Sequence, residues 1–152
     1  MEERNEIPFP QANDFNKIIQ IIEIDNEELL KDNNYLEKYL NLGTGRQISY
    51  YLSACEFLGL VSKRNFTKKA LELRELSRDT RILRLSQLIV SAPVFGEVFF
   101  SRYYYNDKLD SEQIAQLIGI IYGIDNVEVC KRRASTVIKW IDWIEQNKKE
   151  YL

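Results

Sequence analysis

Two stretches decide how this chain is read: Gly45-Arg-Gln-Ile-Ser-Tyr-Tyr-Leu-Ser-Ala-Cys-Glu-Phe-Leu-Gly59 and Lys131-Arg-Arg-Ala-Ser-Thr-Val-Ile-Lys-Trp-Ile-Asp-Trp-Ile144, which align at an offset of 86 residues, Arg46 to Arg132. Each has helical periodicity, an apolar side and an arginine near its start. Each follows a shorter amphipathic stretch and a tight turn, Gly43-Thr44-Gly45 in one case and Tyr122 to Asn126 in the other. That order is helix-turn-helix grammar, written twice. Aligned at the offset, Ile48 meets Ala134, Leu52 meets Ile138, Cys55 meets Ile141 and Leu58 meets Ile144, the core positions of both copies. The opposite stripe carries Arg46, Tyr50, Ser53 and Phe57 in the first copy and Arg132, Thr136, Lys139 and Trp143 in the second. Residues so spaced line up along one side of a helix.

Composition makes nucleic acid a local matter. The 152 residues carry a net charge of −2, so no overall basicity points to DNA, and a binding surface has to be a patch. At 45% apolar and 12% aromatic the chain can form a core in each of two small domains. The two cysteines, Cys55 and Cys130, lack the spacing of a zinc site and suggest no disulfide framework, so a reducing cytoplasm is expected. The absence of histidine removes His-dependent triads and most metal sites. No secretory leader and no membrane-spanning run is read, and no cofactor is expected.

Around the two stretches the expected organisation is an extended arm over residues 1–12, a winged-helix unit over 13–77, and a connecting helix with a second helix-turn-helix unit over 78–152. Phe15, Ile18, Ile19 and Ile22 fall on one helical face. Asp25 with Glu28 fits a capping box, Asn33-Asn34 a break, Thr44 an N-cap, and Gly59 the C′ position of a helix. Leu60 to Thr67 predicts a short β-hairpin with Lys63 and Arg64 at its tip. A helix follows from about Lys68 to Leu76. Asp79 or Thr80 would cap a strongly apolar helix buried between the halves, and Val94 to about Tyr104 forms the next one. Asp110 to Ile118 opens the second motif, and a long helix runs from Val127 to about Asn147, with no second wing. The fold class is therefore mainly α, with tandem winged helix-turn-helix units and one short β-hairpin wing.

A helix entering a major groove needs donors at its N-terminal end and short polar or planar side chains behind them. The residues that fit are Arg46, Gln47, Ser49, Tyr50 and Ser53 in the first unit, Lys63 and Arg64 on the wing, and Arg132, Arg133, Ser135, Thr136 and Lys139 in the second unit. Solvated helix faces and a protein-docking use of the same scaffold are the competing readings. Trp140 and Trp143 fit packing better than base contact. Tyr103-Tyr104-Tyr105 fits aromatic packing at a helix end better than a stacking platform. Arg78, Arg81 and Arg84 fit phosphate contact and local ion pairing equally. No enzyme motif emerges: Glu128-Val-Cys-Lys131 has the wrong spacing for a PD-(D/E)xK nuclease, and no Gly-rich phosphate cradle is present.

Four strings in order, Ile7-Pro-Phe-Pro-Gln-Ala-Asn-Asp-Phe15, Arg46-Gln-x-x-Tyr-Tyr-x-x-Ala54-x-x-x-Leu-Gly-Leu-Val61, Ala92-Pro-Val-Phe95 and Arg132-Arg-Ala-Ser-Thr-Val137-x-x-Trp-Ile-x-Trp-Ile144, extend over nearly the whole chain. In them the chain resembles a winged-helix DNA-recognition region of prokaryotic restriction-endonuclease-like proteins. The resemblance implies sequence-specific recognition of double-stranded DNA and again singles out Arg46, Gln47, Tyr50, Arg132, Arg133 and Thr136. It also implies a nuclease domain or subunit as partner, since no catalytic part is read here. A second copy of the chain is a further partner if the target is palindromic. The function expected is DNA binding without catalysis, with a protein-interaction module and a stand-alone transcriptional repressor as alternatives.

Overall fold

The computed structural model describes residues 9–148. The first eight residues of the expected arm lie outside the described residues, as do residues 149–152, where no wing strand is expected. Eight α-helices, one short 3₁₀ helix and one two-stranded antiparallel sheet make up the described chain. The residues cluster into two compact units, one reaching to Ala12 and then running Asn16–Arg74, the other holding Asn13–Phe15 and everything from Glu75 on. Asn13–Phe15, read from the sequence as the opening of the first unit, thus groups with the second.

Ahead of the first helix, residues 9–14 have no regular structure, as prolines flanking Phe9 dictate. Helix α1 (Phe15–Ile22) buries Ile18, Ile21 and Ile22 completely. The 3₁₀ helix (Glu27–Lys31) is capped by Asn26, whose side chain accepts from Glu28 N, so the cap sits one residue beyond the expected Asp25. Asp32, not the Asn33-Asn34 pair, marks the next break: its carboxylate accepts from Tyr35 N at 3.1 Å and starts α2 (Asn33–Tyr39). Helix α3 (Gly45–Phe57) buries Ile48, Leu52 and Cys55 as its periodicity predicts. It ends on Gly59 at φ +76°, where Leu60 N closes onto Cys55 O at 2.8 Å, a C-terminal motif open mainly to glycine.

Directly after that glycine come β1 (Val61–Ser62) and β2 (Asn65–Phe66), paired Val61 with Phe66 and Ser62 with Asn65. The two linking residues, Lys63 and Arg64, both have positive φ, 51° and 59°. This is the sign pattern of a type I′ turn, the turn whose twist suits a two-residue hairpin. Glu27 accepts from Phe66 N at 2.7 Å and ties the hairpin to the 3₁₀ helix. Helix α4 (Lys68–Arg74) closes the unit, and Arg74 donates to the carbonyls of Ile22 and Ile24 that end α1.

The second unit has helices and no strand among the described residues. Helix α5 (Arg78–Ser91) is capped by Ser77, which accepts from Thr80 N; Asp79 and Thr80 lie within its first turn. The chain bends by 106° between α5 and α6 (Phe95–Tyr103). At the bend Val94 holds φ +75°, rare for a β-branched residue, and its N–H donates to Glu97 at 2.5 Å. Gly96 lies so close to the end of α5 that a Cβ there would come 2.6 Å from Val90 O. Helix α7 (Ser111–Tyr122) has a reciprocal cap between Asp110 and Gln113 and ends on Gly123 in the left-handed region. Helix α8 (Val127–Lys148) packs along α7 and against α5 and α6.

Its core is aromatic. Trp140 lies with ring centroids 5.1 Å from Phe15 and 5.0 Å from Phe95, and Trp143 lies 4.4 Å from Phe15. No single helix among the described residues is long and apolar enough to cross a membrane.

Candidate nucleic-acid interface

The structure separates the predicted binding residues into an exposed group and a group spent on the fold. In α3, Arg46, Gln47 and Ser49 are exposed, and Tyr50 and Ser53 are half-buried along the same edge. The Arg46 guanidinium lies 5.6 Å from the Tyr50 ring centroid, a cation–π spacing that holds the charge along the helix. Gln47 reaches back instead: its Oε1 accepts from Gly43 N at 3.1 Å. Thr44 occupies the N-cap position with no side-chain cap bond. Gln47 therefore ties the turn to the start of the helix, but through an N–H ahead of the N-cap, and the side-chain cap expected of Thr44 is not made. At the far end of the edge, Phe57 packs 5.8 Å from the ring of buried Phe9.

The hairpin tip is divided as well. Lys63 is exposed. Arg64 is half-buried and folds back, donating to Asn33 Oδ1 at 2.7 Å and to Leu30 O at 3.5 Å. Its expected outward role is corrected: the guanidinium braces the tip against the start of α2. Lys68 and Lys69, exposed just past the hairpin, were not singled out from sequence, although a Lys-Lys pair next to a wing was a visible signal.

The α8 stripe is where expectation and structure part. Arg132 and Lys139 are exposed as predicted and Trp143 is buried, in line with the packing role read for it, but Thr136 is fully buried. The Thr136 hydroxyl donates to Asn13 Oδ1 at 2.6 Å, and Asn13 Nδ2 donates to Ser135 Oγ at 3.1 Å. Ser135 and Thr136 thus grip the segment that leads into α1 rather than facing outward. Arg133 is half-buried, its Nε is enclosed without a hydrogen-bond partner, and burial pulls its pKa below the ordinary guanidinium value. The reason is packing on both sides. Cys130, Ala134, Val137, Ile141 and Ile144 form one buried row, and Thr136, Trp140 and Trp143 a second row beside it. The exposed strip that remains runs through Arg132, Lys139 and Glu128, with Lys131 paired to Glu128 at 3.8 Å.

Charge along the two helices is handled differently. Asp142, the counterpart of Glu56, is bound by Arg102 at 3.3 Å, and Glu145 by the same guanidinium at 3.5 Å. Burial works against the Arg102 cation, but contacts with Tyr103 and Asp142 outweigh it and hold its pKa above the usual value. Cys55 is buried, and desolvation pushes its thiol far up, so it is a core residue rather than a nucleophile. Among the described residues no three His, Cys, Asp or Glu side chains gather as a metal set.

The chain belongs to the family DUF7226, a domain of unknown function, whose model matches residues 17–149. No curated protein and no solved structure matches it.

Proposed function

We propose that the chain is a double-stranded DNA-binding module without catalytic activity of its own, in which the first unit acts as a winged helix and α3 is the helix that enters the groove. The observation that carries this reading is the α3 edge of exposed Arg46 and Ser49 and half-buried Tyr50 and Ser53, on a helix preceded by a turn and followed at once by a hairpin with exposed Lys63 at its tip. Arg46 at the helix start supplies a donor for a guanine edge or a phosphate, and the short side chains behind it let the backbone approach the bases. Lys63 supplies a phosphate contact beside the groove. The second unit contributes charge only, through Arg132 and Lys139, because Ser135 and Thr136 are engaged by Asn13. A restriction-type setting, with the nuclease on another domain or chain, belongs to the same proposal and rests on the motif strings.

The test is a titration of the full chain against mixed-sequence duplex DNA at several salt concentrations, followed by fluorescence anisotropy. The expected log–log slope is negative, and Arg46→Ala or Lys63→Ala each reduces its magnitude by about 0.9, the release from one phosphate. Ser53→Ala leaves the slope unchanged and alters sequence preference. Absent or salt-independent binding overturns the proposal. It would favour a protein-docking module, the reading supported by exposed Ile120, Ile121 and Val127 around the α7–α8 turn.

A further inference from the structure

The second unit holds a cleft that the DNA reading does not use. It is open, about 540 Å³ in volume, and lined by Gly96, Glu97, Phe100, Ser101, Tyr105 and Leu109. Two of its walls are aromatic rings left largely in solvent, Phe100 at 52% exposure and Tyr105 at 73%; rings of that size are ordinarily covered. A third ring, Tyr104, stands edge-on to Tyr105 at 5.0 Å. Among the described residues Glu97 is the one charged residue of the lining.

These groups are held in place rather than left loose. Tyr105 N donates to Phe100 O at 3.2 Å, Asp107 N to Ser101 O at 2.7 Å, and Ser101 Oγ to Asp107 O at 2.7 Å. The loop carrying Tyr105 is thereby fastened to the last turns of α6, and Asn106 makes the tight reversal at φ +54°. Glu97 is fixed by accepting from Val94 N, which occupies one of its two oxygens and leaves lone pairs on the other. Gly96 next to it adds no side chain to the cleft.

Aromatic faces carry negative charge density, and a carboxylate among them adds a full charge. Such a set attracts a weakly hydrated cation that can lie flat on a ring and donate hydrogen bonds at its edge. A guanidinium does both, whereas an ammonium is a more strongly hydrated point charge. Glu97 repels phosphate, which disfavours single-stranded nucleic acid despite the exposed rings. We propose that the cleft formed by Glu97, Phe100 and Tyr105 binds the guanidinium of an arginine side chain presented by a partner protein. This site is independent of the α3 edge.

The test uses the full chain, isotopically labelled for NMR, titrated with N-acetyl-arginine amide. N-acetyl-citrulline amide serves as the neutral isostere, N-acetyl-lysine amide as the ammonium control and oligothymidine as the stacking control. The arginine compound is expected to shift the amides of Gly96, Phe100, Ser101 and Tyr105 saturably, with lysine weaker and citrulline weakest. Glu97→Gln, which keeps an acceptor for Val94 N, and Tyr105→Leu should each weaken arginine binding roughly three- to fivefold, the size of one cation–π or charge contact. Tyr105→Phe, which keeps the ring, should bind like the parent chain. Equal shifts from citrulline and arginine overturn the proposal, as do undiminished binding by Glu97→Gln or oligothymidine shifting these amides when arginine does not.

Discussion

The hydroxyl of Thr136 has no access to water and one partner, Asn13 Oδ1 at 2.6 Å. The two partners are unequal: Asn13 is exposed and can turn to water, whereas the Thr136 hydroxyl, once unpaired, is stranded in a low-dielectric setting, which costs more than the net worth of the bond. Thr136→Val conserves shape, leaves Asn13 to water and should cost about 1 kcal/mol, the net worth of the bond. Asn13→Ala leaves a buried hydroxyl unsatisfied and should cost more, about 1–3 kcal/mol. The double variant should cost less than the sum of the two, by about 1 kcal/mol, since the second change removes a group already unpaired. Urea denaturation of the four proteins measures this coupling; strict additivity would show that the pair contributes nothing jointly. Nothing near Thr136 in sequence announces this bond, because its partner lies 123 residues away. A threonine beside the apolar run of α8 reads as polar by residue type and as β-branched packing by shape, and only the partner decides between them.

At the scale of elements, local signals fix the type and place of most helices but not the residues that cap them. Periodicity placed α3 and α8, Gly59 and Gly123 ended helices in the left-handed region, and the Leu60–Thr67 segment formed its hairpin. Caps shifted to an adjacent or nearby residue, from Asp25 to Asn26 and from Asp79 or Thr80 to Ser77, because neighbouring polar side chains compete for the same orphan N–H groups. The α8 stripe failed for a different reason. A helix packed on two sides has no single apolar face, so a wheel drawn for one face assigns Thr136, in the second buried row, to solvent, while Trp143 beside it betrays that row by its size.

The hairpin adds something the pattern did not show, a backbone constraint at the residue expected to bind. Lys63 sits at φ +51°, where asparagine is tolerated better than lysine. Lys63→Asn should therefore raise stability by about 0.5–1 kcal/mol while lowering DNA affinity through the lost charge. A chemical-denaturation midpoint and a binding isotherm on the same variant check the opposed signs. A fall in stability would mean that Lys63 contributes a native interaction outweighing its backbone strain.

At the scale of the whole molecule, one short segment serves both units. Phe9 is buried against Phe57 in the first, and Phe15, six residues later, is buried against Trp140 and Trp143 in the second. Each unit has its own helical core, yet each is completed by an aromatic side chain from residues 9–15. Both tryptophans of the chain lie in α8, so tryptophan fluorescence reports on the second unit, whereas far-UV circular dichroism reports on helices in both. Phe15→Ala removes a ring that is 2% exposed and opens a void beside two indoles. The cost expected for such a truncation is about 3–5 kcal/mol. In a chain of this size it should lower the thermal midpoint seen by fluorescence by roughly 10 °C. Phe9→Ala, a truncation in the first unit, should leave the native tryptophan emission spectrum unchanged, whereas Phe15→Ala should shift it to the red as water reaches the indoles. A Phe15→Ala protein with parental emission and an unshifted fluorescence midpoint would refute the placement of Phe15 in the core of the second unit.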